Sequence, residues 1–253
     1  MKTIFKLITM ILIVATSLSS CQKIADKWWP GSPHKKECRI RKITQSNLPI
    51  GGKTRTGIFY YSSGRRLDSL SFDLHTGTGV AQFHYWKYDN QNRLIGYRSD
   101  YSRNSGDYYW LHRYVWQGGK IVRDSIWLRG AGLDTIVIDI QYDNEGRVNV
   151  ETRRQIFPMQ HIPDGPSETT IYQYNTDGNL IKSFPYGYDQ EKNYLSTDRV
   201  LQFIHRDFSK NNPVGATGYN NASLPLGFGR SYAGFAGFFD WGHPETIEYD
   251  CPK

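Results

Sequence analysis

Cysteine is scarce: the 253-residue chain has 3, none placed near a second Cys or a His at the spacing of a zinc site. Beyond the first twenty residues no apolar run reaches the roughly 20 residues that a bilayer-spanning helix needs. Heptads rich in Ala, Glu, Lys and Leu are absent, which excludes a coiled coil. No helical periodicity persists over about twelve residues after the N-terminal stretch. The histidines are His34, His75, His84, His112, His161, His205 and His243, and no pair forms His-Glu-x-x-His. There is no Gly-x-Ser-x-Gly elbow. Gly227 and Gly229 are followed by Tyr232 where a dinucleotide fingerprint needs its third glycine, and no βαβ pattern surrounds them. No cofactor, metal or nucleophilic triad is expected.

What is present is aromatic. The chain holds 12 Phe, 7 Trp and 18 Tyr together with 24 Gly, which excludes a disordered chain unable to bury area. Its length fits one β-rich domain of roughly 200–250 residues. Lys and Arg number 31 against 24 Asp and Glu. The excess is scattered, in short clusters such as His34-Lys35-Lys36 and Arg153-Arg154, and reads as a solvated surface beside a membrane. No nucleic acid is expected as a partner.

Lys2 and Lys6 form a basic n-region, and Ile4 to Val14 an apolar stretch too short to cross a bilayer. Ala15 to Ser20 then lead, small and polar, into Cys21. Leu18-Ser19-Ser20-Cys21 resembles a bacterial lipobox. The resemblance implies that residues 1–20 are a lipoprotein signal peptide and that Cys21 becomes a diacylated, palmitate-type N-terminus. Two acyl chains are what stable membrane anchoring requires. Gln22, where Asp would favour the inner membrane, points to an outer-membrane lipoprotein of the cell envelope, facing either leaflet. Residues 21–37, with Trp28, Trp29 and Pro30, read as a tether able to reach about 50 Å. Loss of Lys2 and Lys6 leaves a net charge of +5. In an oxidising envelope, Cys38 and Cys251 read as a disulfide that joins the two ends of a domain spanning 38–251. Metal binding is the weaker alternative.

The rest of the chain is punctuated. Tyr61-Ser-Ser-Gly64-Arg65, Tyr88-Asp-Asn-Gln-Asn92-Arg93-Leu94, Trp116-Gln-Gly-Gly119-Lys120-Ile121, Tyr142-Asp-Asn-Glu-Gly146-Arg147-Val148 and Tyr174-Asn-Thr-Asp-Gly178-Asn179-Leu180 follow one another at spacings of 27, 28, 26 and 32 residues. A period of this size marks one supersecondary unit repeated. An aromatic ends a strand, Asp or Asn bonds forward to the backbone, and Gly or Asn takes the left-handed position of a tight hairpin. The flanks alternate: Ile136, Ile138, Ile140 and Tyr142 share a face, and Val148 and Val150 are set opposite Asn149 and Glu151. Hairpins in sequence order predict an all-β fold. It is a large antiparallel up-and-down meander of about 11–13 strands, curled as a single sheet or barrel-like. The stretch Tyr108 to Trp116 places aromatics on both faces. Residues 213–244 form a Gly/aromatic-rich insert, read as a plug over the end of the curled sheet.

These Tyr-Asp turns resemble the YD repeat of Rhs-type envelope proteins. The layout as a whole is similar to the DUF4595-like bacterial lipoproteins, which combine a lipobox, YD-like hairpins, an Asn-Pro segment (Asn212-Pro213) and a closing Tyr-x-Cys (Tyr249-Asp250-Cys251). The resemblance covers roughly 38–251 and implies a porin-like antiparallel β fold. It implies no activity.

The leading expectation is a non-catalytic binding module, anchored by lipid, that takes a glycan or cell-envelope polymer on an aromatic sheet face. Trp86, Trp110, Tyr114 and Trp127 are the candidate ligand-binding aromatics. Two alternatives stand beside it. One is a structural or accessory subunit of an outer-membrane complex, with an envelope protein as partner. The other is a glycoside hydrolase-like enzyme with dispersed carboxylates, although the sequence does not promote Asp134, Asp139 or Glu168 to catalyst. Asp68-Ser69, Asp124-Ser125 and Asp134-Thr135 also resemble acceptor sites of bacterial O-glycosylation.

Overall fold

Each hairpin is set by the chemistry of its turn. In a computed structural model, Asp143 Oδ1 accepts hydrogen bonds from the backbone N–H groups of Glu145 and Arg147, both at 2.9 Å. Gly146 meanwhile takes the left-handed conformation at φ 75°. Asp89 repeats this with Gln91 and Arg93, and Asn92 supplies the positive φ of 63°. Asn175 and Gly178 form a third copy. A fourth copy was hidden in the sequence: Asn220 accepts from Ala222 and Leu224, and Ser223 stands in the glycine position at φ 58°. The Trp116 hairpin closes through Gly118 and Gly119 instead, both with positive φ.

The structure describes residues 37–46, 54–62, 66–73, 83–100, 108–128, 135–157, 164–181, 187–229 and 243–252. The signal segment, Cys21 and the tether through residue 36 lie outside the described residues. So do His34, His75, Tyr101, Asp134, His161 and residues 230–242 of the insert.

The turns join β1 (Arg39–Ser46), β2 (Arg55–Tyr61), β3 (Leu67–Phe72), β4 (Phe83–Tyr88), β5 (Leu94–Asp100), β6 (Tyr108–Gln117), β7 (Lys120–Leu128), β8 (Thr135–Tyr142), β9 (Val148–Ile156) and β10 (Glu168–Ile171). Each pairs antiparallel with its predecessor, and β13 (His243–Asp250) returns beside β1 to complete an 11-stranded sheet. The meander is as expected, and the sheet does not close: β10 and β13 stand at opposite edges. The short strands β11 (Tyr188–Lys192) and β12 (Asn211–Pro213) pair apart from it. Between them run a 3₁₀ turn (Tyr194–Thr197) and one helix, α1 (Arg199–His205), capped by the Asp198 side chain at its N-terminus. Seven residues are too few for a periodicity to be visible in the sequence. Cys38 and Cys251 are joined by a disulfide, with sulfurs 2.05 Å apart, across a separation of 213 residues. It ties the start of β1 to the end of β13.

The period has a physical cause. Ile40, Leu67, Leu94, Ile121 and Val148 recur every 27 residues, and each is buried, with at most 1% exposure. The backbone carbonyl of each is an acceptor. That carbonyl accepts a hydrogen bond from the aromatic at the next turn: Tyr61, Tyr88, the Trp116 indole, Tyr142 and Tyr174 in succession, at 2.7–3.3 Å. The residue before each anchor is basic and lies over the same aromatic ring, Arg39 on Tyr61, Arg66 on Tyr88, Arg93 on Trp116, Lys120 on Tyr142 and Arg147 on Tyr174. One hydrogen bond and one cation–π contact per unit contribute about 1–2 kcal/mol together. The last unit is longer, with 26 residues from Val148 to Tyr174 against 21 or 22 in the others, and it keeps both contacts.

A bulge repeats with the same period. The register slips after Tyr60, Lys87, Val115 and Gln141, which leaves Asp68, Ile95, Val122 and Asn149 as the extra residues. Bulges strengthen twist and re-aim the side chains that follow. One expectation is corrected by this: after the bulge at Asn149, Glu151 rather than Val150 points into the core, paired with Ile140.

The core lies on one face of the sheet. Ile43, Phe59, Leu70, Phe72, Trp86 and Tyr97 meet Val200, Leu201 and Phe203 of α1 and Phe208 just beyond it. Part of the insert also packs there, since Phe228 is fully buried against Tyr194. Its backbone N–H donates to Pro244 O on β13, and Leu226 O accepts from Ile247.

Candidate functional site

The bulge fixes which repeat position looks into the core: Ile43, Leu70, Tyr97, Asp124 and Glu151, again every 27 residues. The first three are apolar or aromatic and the last two are acids. The change is matched by one cation. Arg206, at the C-cap of α1 with φ 52°, sends its guanidinium down between them. It donates to Glu151 Oε1 and lies 3.6 Å from Asp124 Oδ2. Burial lowers the Arg206 pKa, but Glu151 and Asp124 outweigh that and hold it above the ordinary value. His112 Nδ1 bonds Asp124 at 2.9 Å, and the Tyr172 hydroxyl donates to Glu151 at 2.7 Å. The Tyr114 hydroxyl sits in the same region without a hydrogen-bond partner among the described residues.

This cluster lies between the sheet and α1, with Arg206 reaching from the helix end to both acids. Asp124 and Glu151 share the single cation Arg206 beneath α1, and Tyr114 packs edge-on against Phe203 at 5.4 Å. A glycosidase pair needs two carboxyl groups on either side of an open cleft. Among the described residues no group of three or more His, Cys, Asp or Glu is placed to hold a metal ion. Of the carboxylates named from sequence, Asp134 lies outside the described residues. Asp139 is paired with Arg123 at 2.6 Å, and Glu168 is exposed on edge strand β10.

The other face of the sheet carries a groove. Its volume is about 760 Å³, and it crosses β4, β5 and β6. Lys87, Gly96 and Arg113 are direct cross-strand partners, so they form one row on this face. Tyr85, Arg98, Leu111 and Trp127 form the next row. Gly96 leaves the centre of the first row bare. Its packing is tight, since an added Cβ would come within 2.9 Å of the His112 carbonyl. Ile95, turned out by its bulge, and Val115, 51% exposed, supply apolar wall at the turn end. Arg98 is held by Asp100, with Nε 2.6 Å from Oδ1, and this bond raises its pKa against the opposing effect of burial. The Arg113 guanidinium lies over the Trp127 ring at 5.2 Å.

The four aromatics nominated from sequence are therefore split between faces. Trp86 and Tyr114 are among the residues that border the groove, but they belong to the core, 5% and 6% exposed, and offer a ligand little surface. This corrects their nomination: alternation along β4 and β6 turns both toward α1. Trp110 shares that inner face and tilts against His112. Only Trp127 lies on the grooved face, one row from Lys87 and Arg113. The residues that sequence did not nominate are Lys87, Ile95, Gly96, Leu111 and Arg113. They are adjacent only through strand register, which no local motif carries.

Comparison with known proteins adds no candidate: no protein-family model and no curated protein matches this chain.

Proposed function

We propose that the protein is a lipid-anchored module of the bacterial cell envelope that binds a glycan or cell-envelope polymer, without catalysis, in the groove across β4–β6. The lipobox ending at Cys21 and the tether behind it support attachment to the outer membrane. Gln22 supports that membrane over the inner one. The observation that carries the binding function is the groove itself. It is an open sheet face about 760 Å³ in volume, with Tyr85 and Trp127 in a row that also holds Leu111. Aromatic and apolar side chains of this kind stack on the C–H faces of sugar rings, and nearby polar groups fix orientation. The inward acids, closed under α1 and paired with Arg206, support a binding role over a hydrolytic one.

Affinity electrophoresis of the full chain through gels containing a panel of envelope polysaccharides tests this. Retardation by at least one polymer is expected, and it should be lost on Val115→Asp, an exposed change that leaves the core intact. Free migration through every polymer would overturn the proposal.

A further inference from the structure

The groove carries charge in a particular place. Neighbouring strands lie about 4.8 Å apart, so Lys87 and Arg113, two strands apart and level with each other, face one another across roughly 10 Å with no side chain between them. Both are exposed, and among the described residues neither has an ion-pair partner. Arg98 differs, since Asp100 already occupies its guanidinium through two hydrogen bonds. Arg113 is also oriented by the Trp127 ring beneath it, which leaves the edge of its fork available for an anion. On the same face Arg123 and Arg154 surround Asp139, so that flank of the sheet is basic as well.

We infer that the polymer in this groove is anionic, and that one carboxylate or phosphate of it sits over Gly96 between Lys87 and Arg113. The inference rests on the groove being the binding site proposed above. The anion would lie about 5 Å from each flanking strand, within reach of both cations, while Ile95, Leu111 and Val115 meet the uncharged part of the sugar. A neutral glycan would leave two cations facing each other unneutralised. The site therefore discriminates by charge, and carboxylate and phosphate are recognised by the same chemistry.

The test is titration calorimetry of the full chain in detergent micelles with dextran, carboxymethyl-dextran and dextran phosphate of one chain length. At least one anionic dextran is expected to bind at least about tenfold more tightly than the neutral one, with the preference shrinking as salt rises. The tighter of the two identifies which anion the site takes. In Lys87→Gln/Arg113→Gln the preference should disappear, the affinity for the anionic dextrans falling to that for the neutral one. Equal affinity for all three polymers would overturn the anion inference and leave the glycan proposal standing. A preference that survives the double substitution would also overturn it. If none of the three binds, and the electrophoresis panel is equally silent, the glycan proposal itself falls.

Discussion

His84 is buried to 1% exposure on the inner face of β4, with its Nδ1 at 2.6 Å from the Tyr97 hydroxyl and the two rings stacked. Burial lowers its pKa to about 3, and the positive charges of Arg55 and His205 add to the effect. An unfolded chain takes up that proton near pH 6.5. The folded state with neutral His84 is therefore fully favoured above pH 6.5. It loses stability as pH falls toward 3, by about 1.4 kcal/mol per pH unit over that window. Urea midpoints measured from pH 7 to pH 4 should fall along this slope, and His84→Gln, which cannot titrate, should flatten it. An acid limb unchanged by the substitution would assign the dependence to other groups. The turns show what residue-level chemistry makes legible. Asp89 and Asp143 advertise their hairpins because a carboxylate, a left-handed Asn or Gly, and a following Arg act within a few residues of each other. The hairpin at Asn220 is not legible in the sequence because Ser223 takes the left-handed position that glycine usually marks.

At the scale of elements, the same repeat position explains both packing and its exception. Ile43 and Leu70 fill it with apolar volume, and Asp124 and Glu151 fill it with charge only because Arg206 descends from α1 to meet them. Removing that cation strands two buried acids. Arg206→Met should cost about 3–5 kcal/mol in urea unfolding. The triple change Arg206→Met/Asp124→Leu/Glu151→Leu restores the chemistry of the earlier repeats and should recover most of that loss. A triple variant as unstable as the single one would show that charge pairing is not what holds α1 on the sheet. Here the sequence was only partly legible. Alternation along β8 predicts the right inward set, but a bulge adds one residue without disturbing any local pattern, and so alternation alone places Glu151 on the wrong face. The helix is illegible for a related reason. Its hydrogen-bonded length is less than two turns, and its stability comes from Phe203 and its neighbours in the core rather than from periodicity.

Across the whole molecule, one 27-residue unit builds a sheet with two unlike faces. The inner face is occupied by α1, Phe208 and Phe228, and the outer face is left with the groove and its cations. The meander was legible because aromatic and turn residues recur at a fixed interval. The groove was not, because Lys87, Gly96 and Arg113 are far apart in sequence and become neighbours only when three strands fall into register. Composition pointed to an aromatic surface, yet Trp86 and Tyr114 are consumed by the core, and the outer face depends more on charge than on rings. The most direct test of the account labels Ile, Leu and Val methyl groups in the full chain and follows their NMR shifts as an envelope polysaccharide is added. Shifts should concentrate at Ile95, Leu111 and Val115 and leave the inner-face methyls of Ile40, Leu70 and Ile140 unmoved. Shifts at the inner face with none at these three would contradict it.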